Sequence, residues 1–209
     1  MGSVNTADLD AVTLDAHGTL MQLRDPVPAL LDALAERGVD RGPEAVRAGF
    51  LAEAAHYAPR ASEGHDEESL ARLQRECAGV FLDAVSADLD VDKFTPVYVG
   101  SLRFEPLPGV VDALKRLRGL GLTLAVVANW DLSLHRLLEE VRLTPYFATV
   151  VHAARKPAPD GLLRALAELR VEPERALHVG DDDADERAAR VAGMRFAWAP
   201  LPPVVSELA

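Results

Sequence analysis

Four short apolar runs of this chain are each followed by side chains that can take part in chemistry. Carboxylates are the commonest of them, accompanied by hydroxyl, amide, imidazole and ammonium groups. The four sets are Asp15, His17 and Thr19 after residues 11–14; Asn129 and Asp131 after 122–127; His152 and Lys156 after 148–151; and Asp181, Asp182, Asp183 and Asp185 after 176–179. Carboxylates brought together repel one another, and a divalent cation is the usual compensation. Mg²⁺ suits such a set best, because it prefers hard oxygen ligands and leaves positions for waters and a substrate phosphate.

The apolar runs predict parallel β-strands, since each is short, rich in Val and Leu and separated from the next by helix-like sequence. Strands are expected at residues 11–14, 122–127, 148–151, 176–179 and 195–198. Helical periodicity predicts helices at residues 109–121, 157–170 and 185–194. Ligands of such sheets bind beyond the carboxyl ends of the strands. The four sets of polar side chains are therefore expected to meet at one edge of the sheet.

The segment 24–102 carries helical periodicity with hardly any strand signal. We therefore predict an α/β protein in which a Rossmann-like, doubly wound parallel sheet core, residues 1–23 and 103–209, is interrupted by an all-helical cap domain, residues 24–102. The C-terminal segment APLPPVVSELA is predicted to lack regular structure because of its prolines, and Trp198 is expected in the core.

The composition favours a small-molecule role. The net charge of -11, with a pI near 5.0, opposes binding to nucleic acid and to anionic membrane surfaces. Cys77 is the only cysteine, so no intramolecular disulfide can form, and residues 1–10 lack the basic and apolar segments of a signal peptide. We expect a cytoplasmic protein with neither a membrane nor a nucleic-acid partner. The sequence leaves open whether the chain is a monomer or a homodimer.

Lysine is rare in this chain. Lys93, Lys115 and Lys156 are the only lysines, and arginine supplies the other basic side chains. A lysine at position 156, shortly after a predicted strand, is therefore harder to explain as a general surface residue.

Four segments of the chain resemble, in order, the four motifs of the haloacid dehalogenase superfamily. They are LDAHGTL (14–20), VVANWD (126–131), RKPAP (155–159) and HVGDDDADERAARVAGM (178–194). The helical insertion between the first two matches the cap of that superfamily, and the resemblance covers nearly the whole chain. It implies a hydrolase, and our leading hypothesis is a Mg²⁺-dependent phosphatase of a small phosphorylated metabolite, whose substrate the cap selects.

The resemblance also implies a catalytic role for individual residues. Asp15 would be the nucleophile that attacks a phosphoryl group, and water would hydrolyse the resulting aspartyl-phosphate. Lys156 would neutralise Asp15 and bind the phosphoryl oxygens. Thr19 would orient the nucleophile's loop, and Asn129 would help to bind the phosphoryl group.

A metal site follows from the same resemblance. Mg²⁺ would be held by the carboxylates of Asp15 and Asp181 and by the backbone carbonyl of His17. Asp185 would be a further metal ligand, or it would lie in the outer coordination shell and contact the ligands.

Two positions depart from the usual phosphatase motifs and keep other functions open. His17 stands where these enzymes usually have a second aspartate; a histidine there can perform acid-base catalysis near neutral pH or can have only a packing role. Ala128 stands where these enzymes have a Ser or Thr whose hydroxyl holds the phosphoryl group. By analogy with oxyanion donors, the absence of this hydroxyl costs on the order of 10²-fold in rate. The alternatives are a 2-haloacid dehalogenase, which requires no metal, and a non-catalytic binding or regulatory module.

Overall fold

Strands and helices alternate along most of the chain in a computed structural model that describes residues 8–208. The strands are β1 (Ala11–Leu14), β2 (Met21–Leu23), β3 (Phe104–Pro106), β4 (Thr123–Val127), β5 (Thr149–Val151), β6 (Ala176–Gly180) and β7 (Arg195–Trp198). The α-helices are α1 (Val27–Ala35), α2 (Pro43–Tyr57), α3 (Glu67–Ala84), α4 (Val91–Ser101), α5 (Val110–Gly119), α6 (Leu134–Glu140), α7 (Asp160–Leu169), α8 (Asp183–Ala192) and α9 (Leu201–Glu207).

The chain divides into two compact units. Among the described residues, 8–22 together with 105–208 form the first, and residues 23–104 form the second. We call them the sheet unit and the helical unit. The helical unit contains α1 to α4, and the larger sheet and α5 to α9 belong to the sheet unit.

The sheet unit is built on five parallel strands in the order β5-β4-β1-β6-β7. The first strand lies in the middle; β4 and β5 follow on one side, and β6 and β7 on the other. The predicted doubly wound parallel sheet is therefore confirmed. The direction of winding changes between β1 and β6, and such a change opens a crevice at the carboxyl ends of the strands where ligands bind.

The register of the central strands aligns their carboxyl ends. Leu14 at the end of β1 is paired with Val126 of β4 and Val179 of β6. All side chains of β1 and β6 are buried, because helices cover both faces of a sheet of this kind. The residue that follows β1, Asp15, still donates its backbone N–H to the carbonyl of Val179 over 2.9 Å. Its position relative to β6 is thus set by the sheet itself.

The helical unit has an aromatic core of its own. Phe81 of α3 packs against Phe94 and Tyr98 of α4, with ring centroids 6.1 Å and 5.0 Å away. The first turn of α3 is closed by a reciprocal cap, in which Asp66 accepts from the backbone of Ser69 at 2.8 Å and the Ser69 hydroxyl accepts from the backbone of Asp66 at 3.1 Å.

Two sequence expectations at the C-terminus are wrong. The proline-rich tail forms α9, because Pro202 and Pro203 occupy its first turn, where backbone N–H groups have no helical acceptor, and the buried Leu201 and Val205 anchor it. Trp198 is 39% exposed rather than buried, since β7 is an edge strand and Trp198 is its last residue.

Within residues 8–208, none of the helices combines the length and the apolar character needed to cross a bilayer. Residues 1–7, which make up most of the segment behind the expectation of a missing signal peptide, lie outside the described residues.

Candidate active site

Three carboxylates converge beyond the carboxyl ends of β1 and β6. Asp15 directly follows β1, Asp181 directly follows β6, and Asp185 lies in the first turn of α8. One oxygen from each of the three lies within 4.8 Å of the other two. Asp15 and Asp185 are buried, whereas Asp181 is exposed. The change of winding between the two strands thus brings together acidic groups that are far apart in the sequence.

Lys156 provides the positive charge of this cluster. Its ammonium nitrogen donates to Oδ1 of Asp15 at 2.6 Å and also to Oδ1 of Asp185. Its side chain is 3% exposed, compared with 86% for Lys93 and 61% for Lys115. The one buried lysine among the three is therefore the one at the expected motif position.

Asn129 anchors the loop that carries Lys156. The Asn129 side chain accepts from the backbone N–H of Lys156 at 2.7 Å and donates to the Lys156 carbonyl at 2.8 Å. Two non-glycine residues of this loop, Ala153 and Arg155, have φ values of 49° and 60°, in a left-handed region that side chains disfavour. The two bonds from Asn129 help to hold this strained loop. A role of Asn129 in binding phosphate remains a prediction.

Two glycines make room for the acidic side chains. A Cβ on Gly18, whose φ is +77°, would lie 2.1 Å from Oδ2 of Asp181. A Cβ on Gly180 would lie 2.3 Å from the carboxyl carbon of Asp185. Both carboxylates are therefore packed directly onto backbone, which limits the positions that they can adopt.

Burial and charge act against each other in the cluster. Burial raises the pKa of Asp15, and the attraction of Lys156 opposes this shift. Burial alone would lower the pKa of Lys156, but Asp15 and Asp185 outweigh it and raise that pKa, so the ammonium stays charged. Partial desolvation, with the nearby charges of Asp185 and Asp182, raises the pKa of Asp181.

Three donors surround the carboxylate of Asp185, and two of them hold it ionised. Its Oδ1 accepts from Lys156 and, at 3.1 Å, from Nε2 of His178, while Oδ2 accepts from the backbone of Asp182 at 3.3 Å. Burial disfavours the charged form, but the bond from His178 and the charge of Lys156 hold the pKa of Asp185 well below its usual range.

The fully buried His178 is neutral and its protonation pattern follows from its neighbours. Burial lowers the pKa of the His178 imidazole. Because an ionised Asp185 can only accept, the single ring proton lies on Nε2, and Nδ1 accepts from the Thr13 hydroxyl at 2.8 Å. Neither His178 nor Thr13 was among the functional residues predicted from the sequence. A polar residue inside an otherwise apolar buried strand was the signal that could have found them.

The loop after Asp15 carries the other two predicted residues. His17 is exposed, and its ring centroid lies 6.4 Å from that of Trp130. Thr19 is fully buried, and among the residues that the structure describes its hydroxyl has no hydrogen-bond partner. Their predicted roles, in acid-base catalysis and in orienting the loop, remain predictions.

A doubly wound parallel sheet with this carboxylate and lysine cluster at its winding change defines a Rossmann-like α/β protein with an acidic site at the carboxyl ends of its strands. The family model described as haloacid dehalogenase-like hydrolase matches residues 9–193. The chain belongs to this family, and the family predicted from the four motifs is confirmed.

Individual relatives agree with this placement. The chain is 38% identical over 124 residues to the phosphoglycolate phosphatase of Caulobacter vibrioides, a match that covers 56% of this chain and 52% of that protein. It is 33% identical over 195 residues to phosphoglycolate phosphatase 1 of Pseudomonas aeruginosa, covering 89% of this chain and 67% of that protein. The matches thus span between about half and two thirds of the length of these two relatives.

A solved structure shows the same fold. The L-2-haloacid dehalogenase of Xanthobacter autotrophicus aligns with a TM-score of 0.64 at 24% identity, over 91% of this chain and 77% of that one. At this level of identity the likeness concerns the fold alone.

Proposed function

We propose that the protein is a Mg²⁺-dependent phosphomonoesterase that acts on a small phosphate ester and forms an aspartyl-phosphate on Asp15. One observation carries the proposal: the ammonium of Lys156 lies 2.6 Å from Asp15 in a cluster whose three carboxylates lie within 4.8 Å of one another. A buried carboxylate beside a buried cation, with further acidic groups next to it, is an arrangement suited to a nucleophile and a phosphate.

The donor set suits Mg²⁺. All three grouped side chains offer carboxylate oxygens, which are the hard ligands this ion prefers. Asp15, Asp181 and the backbone carbonyl of His17 would hold the ion. Both oxygens of Asp185 already accept hydrogen bonds, so Asp185 would chiefly orient Lys156 and would be the outermost candidate ligand. When bound, the ion supplies charge neutralisation for the phosphoryl oxygens.

The side chains of the cluster divide the work of hydrolysis. A carboxylate oxygen of Asp15 attacks phosphorus; the new O–P bond forms as the bond to the leaving oxygen breaks. Lys156 neutralises the charge on the phosphoryl oxygens. His17 gives a ring proton to the leaving oxygen and then takes a proton from the attacking water. The bond from the water oxygen to phosphorus forms as the bond from Asp15 to phosphorus breaks, which releases phosphate and restores the Asp15 carboxylate.

Ala128 and Asn129 set an upper limit on the rate. Ala128 has no hydroxyl to offer a phosphoryl group, and the Asn129 amide is already bonded to the backbone of Lys156. By analogy with oxyanion donors, the missing hydroxyl costs on the order of 10²-fold in kcat. We therefore expect slow turnover, and Ala128→Ser is expected to raise it.

The relatives named phosphoglycolate phosphatase make 2-phosphoglycolate the first substrate to test. The experiment is a panel of small phosphate esters, including this one, with Mg²⁺ and with a chelator. Wild type is compared with Asp15→Asn, which keeps the shape of the nucleophile and removes its charge. We expect turnover that requires Mg²⁺ and falls by about 10⁴-fold or more in the variant, because without its nucleophile the covalent route is closed.

Other outcomes of the same panel separate the alternatives. Hydrolysis of a 2-haloacid that persists in the chelator would replace the proposal by dehalogenation. Absence of turnover by wild type and by the double variant His17→Asp/Ala128→Ser, with Mg²⁺ still bound, would replace it by a binding module.

A further inference from the structure

The strands of the five-stranded sheet contain two buried polar side chains among their described residues, and these two are bonded to each other. They are Thr13 in β1 and His178 in β6, both fully buried and directly paired in the register of the sheet. Phe196 of β7 lies opposite His178 on the other side. A polar ring in such a place costs free energy unless its nitrogens are bonded, and an aliphatic residue would fill the place without that requirement.

Both nitrogens of His178 are bonded, and one of them faces the candidate site. Nδ1 lies 2.8 Å from the Thr13 hydroxyl, and Nε2 lies 3.1 Å from Oδ1 of Asp185. The same oxygen of Asp185 accepts from Lys156, which also donates to Asp15. A continuous series of hydrogen bonds therefore runs from the middle of the sheet to the carboxylate of the nucleophile.

The contacts of Asp185 show what the imidazole contributes. The carboxyl group rests against the backbone at Gly180, where a Cβ would come within 2.3 Å of its carbon. This contact limits its approach from one side but does not fix the rotation of the carboxylate. Oδ2 is held by the backbone N–H of Asp182 at 3.3 Å. The bond from the fully buried ring of His178 holds Oδ1 and directs it at the ammonium of Lys156.

We propose that His178, oriented by Thr13, is a positioning residue that holds Asp185 and, through it, the ammonium of Lys156 against Asp15. The expected effect on kcat rests on the proposed function, whereas the positioning of Asp185 and Lys156 does not. Substitution of residues that orient groups at a metal site typically costs 10- to 100-fold in activity or metal affinity. Because His178 is buried and acts through Asp185, its loss is expected to lower kcat and leave KM nearly unchanged.

The test is a set of variants that separate the two nitrogens. His178→Gln places an amide near the position of Nε2 and can still donate to Asp185, whereas His178→Leu cannot. We expect kcat to fall by about 10- to 100-fold in His178→Leu and to recover most of this loss in His178→Gln. Equal kcat values for wild type and His178→Leu, or for the two variants, would overturn the inference, because packing alone would then explain the histidine.

A third variant is the control for misfolding. His178→Leu leaves the Thr13 hydroxyl unpaired in the core, but the double variant Thr13→Val/His178→Leu removes both polar groups and is expected to restore stability. The double variant should fold, melt near wild type and keep the low kcat. A double variant with wild-type kcat would contradict the proposal.

A crystal structure of the double variant gives a readout that does not depend on activity. We expect the Asp185 carboxylate to be rotated and the 2.6 Å contact between Lys156 and Asp15 to be lengthened. An unchanged cluster would reject the positioning role. If wild type hydrolyses no phosphate ester, the proposed function fails, while this structural comparison still decides the inference.

Discussion

Asp185 in the sheet unit and Glu53 in the helical unit are both buried carboxyl groups, at 2% and 5% exposure, but their surroundings are opposite. Asp185 accepts from Lys156 and His178, and these partners hold its pKa far below the usual range although burial alone would raise it. Burial raises the pKa of Glu53, and its interactions with Tyr98, Cys77 and His56 oppose the shift without reversing it.

The comparison shows that burial alone does not decide whether a carboxyl group is charged. Asp185 and Glu53 lose solvent to a similar degree, so their opposite shifts follow from their partners. The bond from His178 together with the charge of Lys156 outweighs burial at Asp185, whereas the interactions of Glu53 with Tyr98, Cys77 and His56 do not outweigh it. An ionised carboxylate can orient a lysine and support chemistry, whereas a carboxyl that favours its proton acts as a polar component of a core. Three substitutions test this difference.

The largest effect is expected from Lys156→Met, which removes the cation from the sheet unit. Asp15 and Asp185 would then be buried without compensation, a condition that costs about 3–5 kcal/mol of unfolding free energy. The catalytic rate should fall by about 10²- to 10³-fold, since a donor to the developing charge is lost. Urea denaturation and phosphate-ester kinetics measure the two effects.

The matched control is Lys115→Met, which makes the same change at an exposed lysine and should leave both quantities unaltered. The variant Lys156→Met should also gain stability on acidification, because its carboxyls would then resemble Glu53. A Lys156→Met protein as stable as wild type at pH 7 would show that the cation does not compensate the two carboxylates.

A smaller effect is expected from Asn129→Ala, which leaves the cluster intact but removes the two bonds that hold the backbone of Lys156. The loss of stability should be about 1–3 kcal/mol, and kcat should fall by about tenfold. Asn129→Asp keeps the bond from the Lys156 N–H, so its stability and kcat should lie between those of wild type and Asn129→Ala. A lower stability with unchanged kcat would limit Asn129 to a structural role.

The smallest of the three effects is expected from Glu53→Gln, which should increase stability at pH 7. Since the folded pKa of Glu53 is raised, its contribution to stability is complete below about pH 4.3, the usual glutamate pKa, and is lost as pH rises through the folded pKa. Glutamine cannot ionise, so the variant should be more stable than wild type at pH 7 by about 1 kcal/mol, and the difference should shrink at pH 4. Melting curves at pH 7 and pH 4 measure this difference, and Glu76→Gln, at an exposed glutamate, is the control. Equal melting temperatures of wild type and Glu53→Gln at both pH values would refute the prediction.

Much of the sheet unit could be predicted from sequence because its signals are local. Short apolar runs separated by helical periodicity indicated all five strands of the larger sheet, and the polar residues after them included Asp15, Lys156 and Asp181, which the structure brings together. The helix α9 was missed because prolines, which usually break helices, are tolerated in a first turn. Trp198 was misplaced because hydrophobicity alone does not reveal that a strand lies at the edge.

The amino-acid sequence by itself determined which chemistry is available: a carboxylate after the first strand, one lysine at a motif position, an acidic segment after β6, and no hydroxyl at position 128. Only the tertiary structure decided which of these groups touch, and that His178 and Thr13 belong with them. The physical reason is that strand periodicity depends on neighbours in the chain. Charge state and hydrogen bonding depend instead on burial and on partners that the order of strands brings together from distant segments.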